Sequence, residues 1–111
     1  MMRLFLNSPL AIDRYRNETA RLFGVLNKRL ESREWLAGET YSIADIAAYG
    51  WSAPYNLFGI DVDEYPALER WLEAVASRPA TERAYAIAKD MNPNAPQPVR
   101  RAARKAAKEA A

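Results

Sequence analysis

The chain of 111 residues contains no Cys and no His. Thiol nucleophiles, imidazole bases, Ser-His-Asp triads, Cys/His zinc sites and disulfides are therefore outside its own repertoire. Chemistry must come from carboxylates, Lys, Arg, Tyr and hydroxyls. Within that set Arg14 stands out, in the run Ile12-Asp13-Arg14-Tyr15, because a guanidinium can hold a carboxylate through two parallel N–H donors. The plainer reading is a surface arginine paired with Asp13, with Glu18 or with nothing. Tyr15 could supply a phenol near a thiolate, yet it falls on an apolar stripe, where packing with a hydrogen-bonded hydroxyl is the commoner use. Trp51, Tyr55 and Phe58 follow one another at spacings of four and three, so they share one face if their helix continues past Pro54. That face reads as the wall of an aromatic electrophile pocket or, more plainly, as core. Asp61, Asp63 and Glu64 gather in a loop without the Gly and closing Glu of a calcium site, so no metal is expected.

The elements that position these residues follow from composition and pattern. Half of the positions are hydrophobic and 27% are charged, which suits one soluble globular domain. No run of about 18 apolar residues is present, so no membrane span is expected, and Leu4 to Leu6 is too short for a secretory leader. A cytoplasmic protein is the default. The formal net charge of +2 is unevenly placed. Up to Asn92 there are 11 basic and 13 acidic residues, whereas Pro93 to Ala111 carries five basic residues and one acid. Residues 1–9 read as a lead, 10–92 as a helical domain, and 93–111 as a Pro-rich linker and basic tail. The tail is Ala-rich, with Val99 its one large apolar side chain, so it is expected to be frayed and solvated. Nucleic-acid binding by the tail is disfavoured, since no aromatic residue is available for base stacking.

An all-α bundle is expected from the periodicity. Ile12, Tyr15, Thr19, Leu22, Phe23, Leu26 and Leu30 form one stripe of a helix opened by Pro9, with Ser8 placed to cap it. In Tyr41-Ser42-Ile43-Ala44-Asp45-Ile46, Ser42 and Asp45 form an Asp version of the capping box. Tyr41 and Ile46 can close a hydrophobic staple around it. Both devices mark a helix start with a structural role for Ser42 and Asp45. Pro54 should end or kink that helix, and Gly50 within it suggests close backbone packing. Tyr65-Pro66 opens a third helix through Leu68, Trp71, Leu72, Val75 and Ala76, stopped before Pro79. Thr81 is a candidate cap for a fourth, Glu82 to about Lys89.

Taken together, Trp35-Leu36-Ala37-Gly38, Tyr41-Ser42-Ile43-Ala44-Asp45-Ile46-Ala47, Tyr65-Pro66-Ala67-Leu68-Glu69-Arg70-Trp71 and Ser77-Arg78-Pro79-Ala80 resemble the C-terminal helical domain of glutathione transferases over about residues 10 to 90. The run from Ala11 to Tyr15, with Asn17-Glu18 and Leu22 to Leu30, is most similar to bacterial nu-class and disulfide-reductase-like members. The resemblance implies a bundle that begins at the family's second long helix, without the first, and without the thioredoxin-like domain that binds glutathione. It implies a parent activity of glutathione conjugation or thiol-disulfide exchange, with glutathione as co-substrate and no metal. Arg14 then corresponds to an arginine that reaches the glutathione region, and Trp51, Tyr55 and Phe58 to the electrophile pocket. The chain alone is expected to show negligible turnover. Its expected partners are a thioredoxin-like domain or a second copy in a homodimer, because a bundle short of one helix leaves apolar surface bare. A protein-interaction or oligomerisation module is the alternative.

Overall fold

Among the described residues proline opens three of the five helices, since the first helical position needs no N–H and proline presets its φ. The computed structural model describes residues 9–110, so the expected Ser8 cap and the lead before it lie outside the described residues. Helix α1 spans Pro9–Leu30, α2 Ile43–Ser52, α3 Pro66–Ala76, α4 Pro79–Met91 and α5 Arg101–Ala110. Two short 3-10 turns, Tyr55–Phe58 and Val62–Glu64, carry the chain from α2 to α3. No strand occurs among the described residues; Trp35 and Gly38 form only an isolated bridge. The fold is all-helical, as the periodicity implies.

Helix α3 is the centre of the core. Leu68, Trp71, Leu72, Val75 and Ala76 repeat at helical spacing and are all buried, with Leu68 and Trp71 at 0% exposure. Helix α1 lies against it. The Asn27 side chain accepts the Leu68 amide at 3.0 Å, which satisfies a donor that the start of a helix leaves open. The Tyr65 hydroxyl donates to the Ala20 carbonyl at 3.3 Å. Arg70 donates to the carbonyls of Leu30, Arg33 and Glu34, so the α1 C-terminus is closed by a side chain from α3.

Because α3 meets the C-terminal half of α1, the expected stripe does not bury along its whole length. Phe23 and Leu30 are buried, but Tyr15 and Leu22 are about half exposed, at 54% and 48%. Tyr15 is thus a groove residue rather than core.

The α2 start carries the expected box. The Ser42 amide donates to Asp45 Oδ2 at 2.9 Å, and the Ala44 amide donates to Ser42 Oγ at 3.3 Å. Asp45 also accepts the Leu36 amide at 3.0 Å and the Trp71 indole N–H at 2.8 Å. The helix cap therefore ties a loop and two helices together. The staple is different from expectation: Ile46 is 56% exposed, and the Tyr41 ring packs edge-on to Trp35 with the Arg78 guanidinium 3.6 Å from its centroid. Helix α2 ends at Ser52, before Pro54. Gly50 does not mark close packing, for a Cβ added there meets nothing within 4 Å among the described residues. Gly59, by contrast, needs its freedom, holding φ at 72° where the first 3-10 turn closes.

Helix α4 begins at Pro79 rather than being capped by Thr81, and runs on to Met91. The larger departure is the tail. Residues 101–110 form helix α5, and four cations on it or just ahead of it are paired: Arg100 with Glu73, Arg101 and Arg104 with Glu69, and Lys108 with Asp61 and Asp63. Helix-favouring composition was legible; the acidic partners that dock it come from α3 and the preceding turn. Asp61 and Asp63 are therefore ion-pair partners, not free loop acids.

Candidate functional site

The N-terminal half of α1 stands clear of α3, and two open grooves run along it. One is lined by Leu10, Ala11, Asp13, Arg14, Tyr15, Asn17, Glu18 and Arg21. The other lies between α1 and the first 3-10 turn, lined by Ala11, Ile12, Tyr15, Arg16, Thr19, Leu57 and Phe58. Ala11 and Tyr15 border both. A phenol thus stands between two clefts, with the guanidinium of Arg14 on one side and that of Arg16 on the other.

The charges differ in how they are committed. Arg21 holds Glu18 through two bonds of 2.6 and 2.9 Å, and this hydrogen bonding keeps the Glu18 carboxyl below its ordinary range. Arg14 is exposed and makes no hydrogen bond or ion pair with the described residues. The expected pairing with Glu18 is pre-empted, because Arg21 sits one turn away at i+3 and reaches the carboxylate first. The exposed Arg14 guanidinium at the edge of this groove can bind a carboxylate.

The structure does not bring Trp51, Tyr55 and Phe58 together. Trp51 projects from the last turn of α2 and is 81% exposed, whereas Tyr55 is buried at 5% beneath the tail. Only Phe58 reaches a groove on α1. The physical reason is the end of α2: beyond Ser52 the chain turns at 3-10 pitch, so the four-and-three spacing no longer maps onto one face. Ser42 and Asp45 lie in the cap that supports the bundle. Sequence reasoning missed Arg16 and Leu57. Arg16 faces the Gly59 turn, where an added Cβ would sit 3.7 Å from its Nε, and a contact that depends on a loop's path leaves no local signal. Among the described residues no group of three or more acidic side chains could hold a metal ion, and no helix is long and apolar enough to cross a membrane.

The glutathione S-transferase C-terminal domain profile matches residues 10–79, more than half of the chain. The chain belongs to the glutathione S-transferase C-terminal domain family. This helical domain is 54% identical over 76 residues to the disulfide-bond oxidoreductase YfcG of Escherichia coli strain K12, covering 68% of this chain and 35% of that protein. It is 36% identical over 80 residues to the disulfide-bond oxidoreductase YghU of the same strain, covering 66% and 28% respectively. Glutathione S-transferase 2 of Schizosaccharomyces pombe is 32% identical over 91 residues, covering 68% and 39%. The transferase-type domain therefore spans about a third of the length of the curated relatives it matches.

Proposed function

We propose that the chain is the helical half of a glutathione-dependent enzyme of the conjugating or thiol-disulfide-exchanging kind. The observation that carries this is the uncommitted Arg14 guanidinium next to Tyr15, on the part of α1 that the core leaves open. In this reading Arg14 holds a carboxylate of glutathione, and the groove formed by Ile12, Tyr15, Leu57 and Phe58 receives the apolar part of the second substrate. Trp51 and Tyr55 have no part in that wall. The absence of Cys and His is no obstacle, because the reacting thiol comes with the co-substrate. A thioredoxin-like domain, in the same polypeptide or a separate one, supplies the remaining contacts to glutathione, and the cytoplasm supplies reduced glutathione.

The test joins the chain to the thioredoxin-like half of the YfcG relative and follows glutathione conjugation and glutathione-dependent disulfide reduction. The joined protein should turn over, the chain alone should not, and Arg14→Ala should lower kcat/KM at least about tenfold, the loss of one charge-assisted pair. Equal rates with and without the added half, or an unaffected Arg14→Ala variant, would overturn the reading.

A second reading is favoured by the apolar side chains left uncovered. Val25 on α1, Ile43, Ile46 and Trp51 on α2 are all more than half exposed, and such faces are commonly covered by another chain. Here the domain acts as an association module, as a homo-oligomer or with a domain partner. Light scattering that gives a monomer at high concentration sinks the homo-oligomer.

A further inference from the structure

The tail is held by four carboxylates, those of Asp61, Asp63, Glu69 and Glu73. Glu69 accepts both Arg101, at 2.7 and 2.9 Å, and Arg104, at 2.8 Å. Glu73 accepts Arg100 at 3.0 and 3.2 Å and the Arg101 amide at 3.1 Å. Farther along, Asp63 takes Arg104 and Lys108, and Asp61 takes Lys108. The four carboxylates make an acidic rail along one edge of α3 and the turn before it. The apolar end of the rail is a narrow crevice lined by Tyr49, Tyr55, Leu72 and Ala76 of the body and closed on the other side by Val99 and Arg104 of the tail. The rail thus reads an apolar residue and an arginine just ahead of a helix, and then arginines in its first turn.

The occupant is attached mostly by charge. Helix α5 buries no residue, and its outer face is Ala with Lys105. Bonds between partly exposed charges weaken as salt shortens the screening distance, from about 8 Å at physiological ionic strength to about 3 Å at 1 M. The linker from Pro93 to Pro98 is joined to the body by few polar bonds, one of them from Gln97 Nε2 to the Tyr85 carbonyl at 3.3 Å. Val99 alone of the tail's residues packs against the core, and the other contacts to α3 run to side chains, so the segment can leave with the backbone hydrogen bonds of α3 intact.

We propose that the acidic edge of α3, with the Tyr49–Tyr55 crevice at its end, is a docking groove for a basic helix of a partner protein, and that residues 99–108 occupy it as an intramolecular latch. The partner's helix carries an apolar residue, two arginines immediately after it, and a third cation one turn on, the order in which Val99, Arg100, Arg101 and Arg104 stand. The tail competes with it at the effective concentration set by a short linker, on the order of millimolar.

The experiment adds a fluorescent synthetic peptide of residues 96–111 to the full chain and reads anisotropy in low salt and in about 1 M salt. With the chain's own latch weakened by Arg101→Ala/Arg104→Ala, the peptide should bind in low salt at least about tenfold more tightly than to the unaltered chain. High salt should abolish that binding. Adding Glu69→Gln/Glu73→Gln to the weakened chain should remove it, and Asp61→Asn/Asp63→Asn, at exposed sites, should reduce it with the fold retained by circular dichroism. Absence of binding to the weakened chain, equal binding to weakened and unaltered chains, or binding indifferent to both carboxylate pairs would each overturn the proposal.

Discussion

The indole N–H of Trp71 donates to Asp45 Oδ1 at 2.8 Å, with both residues fully buried. The same carboxylate accepts the Leu36 and Ser42 amides, so one side chain satisfies donors from a loop, a helix cap and the core helix. Buried donors left without an acceptor cost about 1 to 3 kcal/mol each. Asp45→Ala should therefore destabilise the fold by about 3 kcal/mol or more, a fall in Tm of more than about 10 °C for a domain of this size. Asp45→Asn, which keeps an acceptor, should cost less. Thermal unfolding followed by circular dichroism decides, and a melting point for Asp45→Ala within a few degrees of the unaltered chain would refute the role.

Gly50 lies inside α2 with open space where a Cβ would go. Gly50→Ala should raise stability by about 0.5 to 1 kcal/mol, the propensity difference in a helix interior. Gly59→Ala should do the reverse, losing about 1 kcal/mol, because its φ of 72° is disfavoured for a residue with a Cβ even without a clash. Urea denaturation of the pair gives the opposite signs directly.

Arg78 stacks its guanidinium over Tyr41 at 3.6 Å and stands 5.9 Å from the Trp35 ring. The contact fastens the start of α4 to the loop before α2. Arg78→Ala should cost about 1 kcal/mol, and Arg78→Lys less, since lysine keeps the charge and loses the flat stacking surface. An Arg78→Ala midpoint unchanged in urea would show that the stacking contributes nothing.

Acid should release the tail. Hydrogen bonds from Arg101, then Arg104, hold the Glu69 carboxyl below its ordinary value of 4.5. Burial pushes Glu73 up, but the bonds from Arg100 and the Arg101 amide outweigh it, and its carboxyl is also lowered. The Lys108 contact lowers Asp63 from 3.8. Carboxyls with depressed folded values stabilise the docked state fully above their free values and lose that contribution as pH falls toward the depressed ones. Tail docking should be constant above about pH 6 and decline below about pH 4.5. Cleavage of the 92–100 linker by an acid-active protease, timed against pH, measures it; cleavage at a constant rate across this range contradicts the assignment.

Much of the helical fold was legible in the residues themselves. Proline at the starts of α1 and α3, the Ser42–Asp45 box and the Leu68-Trp71-Leu72-Val75 spacing are local signals, and the structure uses each of them where it stands. Sequence spacing failed where a residue's surroundings come from a distant segment. Tyr15 and Leu22 continue the apolar period of α1, yet α3 crosses only the other half, so they remain half exposed. Trp51, Tyr55 and Phe58 part company because a 3-10 turn replaces the α-helix on which their spacing depended. The tail's residues favour a helix by themselves, but an Ala-rich helix with one large apolar side chain has little to bury. What docks it is the row of Asp61, Asp63, Glu69 and Glu73, 27 to 47 residues away along the chain in the hydrogen-bonded pairs from Arg100–Glu73 to Lys108–Asp61. Period and capping act through neighbours on the chain; exposure, ion pairing and groove shape are set by which elements the folded chain brings side by side.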